Sequence, residues 1–473
     1  MTIRLGAMAG AGVMLLASCV VADAAVTISS AATSNMTCTS GVCTPTAANA
    51  VLNVGDLTTM LGSGNVTVNT GTGSLASEVE DIVVDASFSW ANASSLTLDA
   101  HRSITVEQPV AVNGSAPVTL TTNDGGSGGH LSFIVAGSLS FLGTDNSLTV
   151  NGTPYALVNT LSSLASAVAA NPSGAYAFSA AYDANHDGTY SQSPVPTTLT
   201  GLFEGLGNTI SNISVKNNVK SNPALGGVFA EVEGMAENIR LAGVSVKGSR
   251  MPMEVGGLVG LIYGGTVFGA QVTGSIQNGS VAGGVAGLNE NGYLYNSYAI
   301  VTIDDAGGGG LVGQNTGTID SCFAAGNVTV AGNGQRVGGL VGWNDASISN
   351  SYARGNAKAG INSDVGGLIG ADVNFVEYSY STGSVTGGEN GSVGGFAGLD
   401  DIAATDDYWD TTTSGTDYGV GGGNIEGLTG LTSKQLQSGL PTGFDPTIWA
   451  ESSKINGGFP YLIANPPPAT KKK

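Results

Sequence analysis

A Gly-Gly pair followed by two apolar or small residues recurs seven times in the second half of this chain. The copies are Gly226-Gly227-Val228-Phe229, Gly256-Gly257-Leu258-Val259, Gly283-Gly284-Val285-Ala286, Gly309-Gly310-Leu311-Val312, Gly338-Gly339-Leu340-Val341, Gly366-Gly367-Leu368-Ile369 and Gly394-Gly395-Phe396-Ala397. They begin 26 to 30 residues apart, and from the second copy onward a further glycine closes each unit. A unit this short cannot bury an apolar face alone. Stacked units can, so a fixed period of this size predicts a repeat architecture that grows in one dimension.

Each unit has a second half, as in Leu294 to Ala299, Ile319 to Ala324 and Ile348 to Ala353. Aligned, the copies form an apolar column of Val267, Leu294, Ile319, Ile348 and Val376, and an aromatic column of Tyr298, Phe323, Tyr352, Tyr380 and Tyr408. Gln271 takes the aromatic place in the first full copy. Parallel coils set like residues above one another at about 4.8 Å. The aliphatic columns are then expected to form a continuous core and the aromatic ones a stacked ladder. The glycines are expected at corners that need positive φ.

These residues resemble the GLUG motif over roughly Ala224 to Trp409. The resemblance implies an all-β fold, a right-handed parallel β-helix (β-solenoid) with about seven repeats of about 28 residues. It also implies kinship with filamentous-haemagglutinin-like bacterial surface and secreted adhesins. Residues 25–155 hold short alternating strands, among them Val66 to Val68, Leu96 to Leu98 and Leu148 to Val150, and resemble the irregular strand-rich part of such proteins. The NPNL and NPNG motifs of two-partner secretion are absent from the sequence, as is a C-terminal run of barrel strands. Residues 156–223 read as a short helix (Leu157 to Ala170, capped by Asn159 or Thr160) and lead-in coils, and Gly201 to Ser211 resembles a segment of pectin-lyase-like β-helices. The repeats then span 224–410, a C-terminal cap with a short helix at Thr432 to Ser438 spans 411–465, and 466–473 reads as a disordered tail.

The chain of 473 residues is 41% hydrophobic, too apolar for a disordered linker. With 15 Lys and Arg against 35 Asp and Glu, its net charge of −20 disfavours nucleic acid as a partner. Residues 1–24 read as a signal peptide, with Ala22-Asp23-Ala24 before the cleavage point. No later stretch is long and apolar enough to span a bilayer. Leu16-Ala17-Ser18-Cys19 also resembles a lipobox, in which Cys19 would carry lipid and tether the chain as an outer-membrane lipoprotein. Cys38 and Cys43 either close a small disulfide loop in an oxidising compartment or remain free thiols. Cys322 reads as a small packing residue within a repeat.

For chemistry, Asp183, Asn185 and Asp187 with Gly188 copy the start of a Ca²⁺ loop, but Pro194 stands where the final ligand would be, and a plain Asx-rich turn is the competing reading. Asp400, Asp401, Asp406, Asp407 and Asp410 form an acidic group expected on a solvated loop. His101, His130 and His186 lie in no motif, and no cofactor is expected. The expectation is an exported, non-catalytic adhesion or interaction protein, extracellular or at the cell surface. Its partners would be host, matrix or cell-surface macromolecules, glycans among them. A polysaccharide-active enzyme on the same scaffold, or a lipid-anchored envelope protein, are the alternatives. Arg336, Arg354 and Lys358 are the few cations in the repeats, which weighs against a lyase needing a strong base.

Overall fold

The computed structural model describes residues 25–71, 79–217, 224–248, 253–400, 404–424 and 426–468. Residues 1–24, expected to be a signal peptide and holding Cys19, together with Asp401 and residues 469–473, lie outside them. The chain is a parallel β-solenoid of about 13 turns, so the seven Gly-Gly units form only its second part. One coil consists of Met253–Gly256, Val259–Tyr263, Thr266–Phe268 and Gln271–Gln277. Each pairs in parallel with its counterpart in the next coil: Val281–Gly283, Ala286–Glu290, Tyr293–Tyr295 and Tyr298–Asp304.

Val267, Leu294, Ile319, Ile348 and Val376 are in register and buried in the solenoid interior. The Gly-Gly pairs answer a need other than the expected one. None has positive φ. A Cβ on Gly256 would stand 2.0 Å from the Val259 carbonyl oxygen, and one on Gly339 would stand 2.1 Å from that of Gly367 in the next coil. Close backbone approach is what demands glycine there. The left-handed corner is held instead by Asn296, Ser321, Asn350, Tyr378 and Asp406, with φ of 46°, 55°, 45°, 53° and 52°. Asparagine and aspartate tolerate this conformation better than most residues.

Polar ladders run inside the coils. Asn289 donates to Asn315, Asn315 to Asn344, and Asn344 to Asp372, at 2.7, 2.7 and 2.8 Å. In a second column Ser297, Cys322, Ser351, Ser379 and Asp407 each accept a backbone N–H from the preceding coil. Cys322 therefore fills a serine position, and burial pushes its thiol far above the usual range.

The first section, residues 25–150, has its own core. Strands fall at each segment named above, including Val66–Asn69, Leu96–Asp99 and Ser147–Val150. Its outer end is covered by helix α1, Val54–Ser63, which the sequence reading did not anticipate. Asn53 caps α1, and Leu57 and Leu61 bury its inner face. A hairpin of Met36–Thr39 and Val42–Pro45 lies beside it, closed by a Cys38–Cys43 disulfide.

The chain then reverses. Ser147–Val150 pairs antiparallel with Thr153–Val158, and every later strand of that sheet is parallel again. Helix α2, Leu161–Ala170, starts later than expected because residues 153–158 are strand, and Thr160 is its cap. The last coil of the first section runs along one corner of the second. Phe141 N donates to Ser179 O, Leu139 N to Leu206 O, and Asn238 Nδ2 to Leu131 O.

The C-terminal segment does more than close the end. Leu428–Leu431 continues the stack, pairing with Asp407–Asp410, and helix α3, Ser433–Leu436, follows. From there the chain turns back along the side of the solenoid. Tyr408 Oη donates to Thr442 O, Tyr380 Oη to Pro460 O, and Asn465 Nδ2 to Ser321 O. Pro466 to Pro468 continue this path against the solenoid wall, where a disordered tail was expected.

Candidate functional site

Tyr298, Phe323, Tyr352, Tyr380 and Tyr408 point out of the solenoid, because the next residue in each strand (Ala299, Ala324, Ala353, Ser381 and Trp409) takes the inward place. Rings of the first four stack with centroids 4.7, 4.8 and 5.1 Å apart. The C-terminal strap buries them with Leu436, Phe444, Trp449, Phe459 and Leu462. The strap stops short of covering everything. Between it, the upper end of the ladder and residues 132–136 of the first section lies a cavity of about 630 Å³. Its walls include Phe133, Phe268, Tyr298, Phe323, Tyr352 and Arg354.

A second feature lies on the outer face of the coils. Tyr293 and Tyr295 sit two apart in one short strand and face outward together, with Leu294 buried between them. Their rings lie 5.9 Å apart and 22° from parallel. Tyr293 is 44% exposed. In the adjacent coil Phe268 is in register with Tyr295, and His130 of the first section stacks on it at 4.8 Å. Burial against that ring lowers the His130 pKa.

Two carboxylates meet at the section junction. Glu204 and Glu237 are in register on adjacent coils. Glu204 accepts from Leu206 N at 2.8 Å and Asn238 Nδ2 at 3.1 Å. Burial and the Glu237 charge push Glu204 well up, and burial pushes Glu237 up to about 7. Sequence reading passed over this pair, although Phe203-Glu204-Gly205 and Ala236-Glu237-Asn238 occupy equivalent places in their coils.

The other sequence candidates take local partners. Asp183 accepts from Asn185 N and Asn212 Nδ2, while Asp187 accepts from the Tyr182 and Tyr190 hydroxyls. Asn185 is exposed, and these carboxylate oxygens bond an Asx turn and its neighbours. The acidic group is largely buried, where a solvated loop was expected: Asp400, Asp407 and Asp410 are at most 3% exposed. Asp407 accepts from Ser379 N and Thr405 N, and Asp410 from Thr412 N and the Ser433 hydroxyl. Among the described residues no group of three or more His, Cys, Asp or Glu is placed to hold a metal ion. His101 Nδ1 lies 3.0 Å from Asp124 O. Arg336 lies over the Trp343 ring at 5.2 Å, and Lys358 stands exposed on a strand end.

With this geometry in place, one comparison bears directly on the repeats. Residues 333–357 match the GLUG motif. The matched stretch holds Gly338-Gly339-Leu340-Val341 and the Ile348 to Ala353 half-unit, so the match falls on one of the seven units whose columns run through the coils. No curated protein matches the chain. Among solved structures, a Bacteroides ovatus protein described as a candidate immunoglobulin A1 protease is similar at 20% identity, over 61% of this chain and 85% of that one, with a TM-score of 0.42. No helix among the described residues is long and apolar enough to cross a membrane.

Proposed function

We propose that this GLUG-repeat protein is an exported bacterial interaction protein, a non-catalytic rod on the cell surface or in the medium that grips host, matrix or neighbouring-cell macromolecules, glycans foremost. The observation that carries the reading is the outward aromatic pair Tyr293 and Tyr295, side by side on a rigid strand. Exposed aromatic rings held on a fixed scaffold supply large contact area at little conformational cost, and a flat platform suits the apolar face of a sugar ring. The Cys38–Cys43 disulfide supports export, because such bonds persist in oxidising compartments.

The test is binding of the mature chain to immobilised glycans and matrix proteins, beside a Tyr293→Ala, Tyr295→Ala double variant. Retained glycan or matrix binding by the wild type, lost in the variant, is expected. Equal binding by both would overturn the assignment to this face.

A second reading, a polysaccharide-active enzyme, draws on Glu204 and Glu237, since paired carboxyls with raised pKa suit acid–base chemistry. Glu204 is 2% exposed with both oxygens already bonded, which favours a structural role for it. Release of reducing ends from a polysaccharide panel, abolished by Glu237→Gln, would establish that reading.

A further inference from the structure

The junction cavity is shaped and charged unlike the rest of the molecule. Its volume of about 630 Å³ falls within the range of small-molecule sites, and its walls are mainly apolar. The chain carries 35 acidic residues against 15 Lys and Arg, yet the residues lining this cavity include Arg354 and Lys454 and no carboxylate. Among the described residues, no carboxylate lies within ion-pair distance of Arg354. Its Nη1 donates to the Asn456 carbonyl and side-chain oxygens at 2.7 and 2.6 Å, and its guanidinium lies over the Phe459 ring. These contacts fix the guanidinium in place without neutralising it.

Tyr352, two residues earlier on the same strand end, supplies a hydroxyl. The residue is fully buried, lines the cavity, and its oxygen has no hydrogen-bond partner. The neighbouring rungs explain why none is available. Phe323 has no hydroxyl, and that of Tyr380 is committed to Pro460 O and Asn456 Nδ2. A buried hydroxyl left unpaired carries a desolvation cost that nothing in the free protein offsets. Stacking alone does not require it, since phenylalanine serves as a rung one coil earlier.

We propose that this cavity binds a small anionic amphiphile, a molecule with one carboxylate and an apolar body, whose carboxylate is taken by the Arg354 guanidinium and the Tyr352 hydroxyl. A carboxylate needs donors only, and both groups supply them. The apolar body lies against the Phe133 and Phe268 side of the cavity. This site is separate from the outer face of Tyr293 and Tyr295, so the two assignments succeed or fail independently.

The test is calorimetric titration of octanoate into the mature full-length chain, with octan-1-ol as the uncharged probe of equal length. One octanoate per chain is expected, with octan-1-ol weaker by about tenfold or more, the loss of one charge-assisted contact. Arg354→Gln is expected to weaken octanoate about tenfold. Tyr352→Phe should weaken it about fivefold with an unchanged or higher Tm, because the deleted hydroxyl has no partner to lose. Ala325→Trp, which fills the cavity from its wall, should abolish binding, and Tyr293→Ala should leave it intact. Absence of octanoate binding, equal binding of the alcohol, or wild-type binding by both Tyr352→Phe and Arg354→Gln would overturn the proposal.

Discussion

The Phe323 and Tyr352 rings stack 4.8 Å apart and within 7° of parallel, on the outside of the solenoid and beneath a strap formed by the C-terminal segment. The ladder is therefore the seam between two parts of the chain as well as an extension of the repeats. Phe323→Ala removes a rung from the seam and is expected to cost about 3–5 kcal/mol in chemical denaturation. A loss under about 1 kcal/mol would mean that the strap contributes little to holding the coils.

The two central tyrosines should respond oppositely to loss of their hydroxyls. Tyr380→Phe removes two hydrogen bonds, the one it donates to Pro460 O and the one it accepts from Asn456 Nδ2, so a loss of about 1–3 kcal/mol is expected. Tyr352→Phe should be neutral or stabilising. Denaturation midpoints of the pair measure the contrast, and equal losses would contradict it.

Glycine replacements separate close approach from mere flexibility. In Gly339→Ala the new methyl would meet the Gly367 oxygen at 2.1 Å and the Ala353 Cβ at 2.9 Å, and a loss above about 3 kcal/mol is expected. Gly62, inside α1, has open space around it, so Gly62→Ala should stabilise by about 0.5–1 kcal/mol. Thermal melts of both variants decide the matter. A tolerated Gly339→Ala would remove the backbone-contact explanation of the repeat.

Buried carboxyls make stability depend on pH. Burial pushes Glu237 up from 4.5 to about 7, and burial with the Asp400 charge pushes Asp372 up from 3.8 to about 7 against the bonds from Asn344 and Asn374. A raised folded-state value means that the contribution is intact below the unfolded value and is lost as pH rises through about 7. Wild-type Tm should thus fall between pH 5 and pH 8. Asp372→Asn, which continues the asparagine ladder, and Glu237→Gln should each raise stability at pH 8 by roughly 1–3 kcal/mol and flatten the profile. A steeper profile in either variant would count against this origin.

Much of this architecture was legible because columns are a property of sequence spacing. The in-register apolar and aromatic columns, the α2 cap at Thr160 and the short helix after Thr432 follow directly from it. Spacing shows which residues stack, but it does not show which way they face. Tyr352 and Ala353 are both buried, one against the strap and one in the interior, and nothing local distinguishes the two fates. α1 was missed because Gly55, Thr58, Thr59 and Gly62 are weak helix formers; its signals were Asn53 as cap and Leu57 with Leu61 one turn apart. The junction cavity was not legible at all, since it joins residues near 133, 352 and 456 that only the antiparallel reversal after Val150 and the returning strap bring together. The acidic group misled because adjacent aspartates read as a loop, whereas Asp407 and Asp410 bond backbone N–H groups inside the last coils.

The central claim, export as an interaction rod, is tested most directly by fractionating the native host and taking the intact mass of the mature chain. The account predicts a chain outside the cytoplasm that begins at Ala25 and carries the Cys38–Cys43 disulfide; a lipidated chain beginning at Cys19 would retain export and make the rod a tethered one. A chain that begins at Met1, stays in the cytoplasm and has both thiols reduced would contradict it.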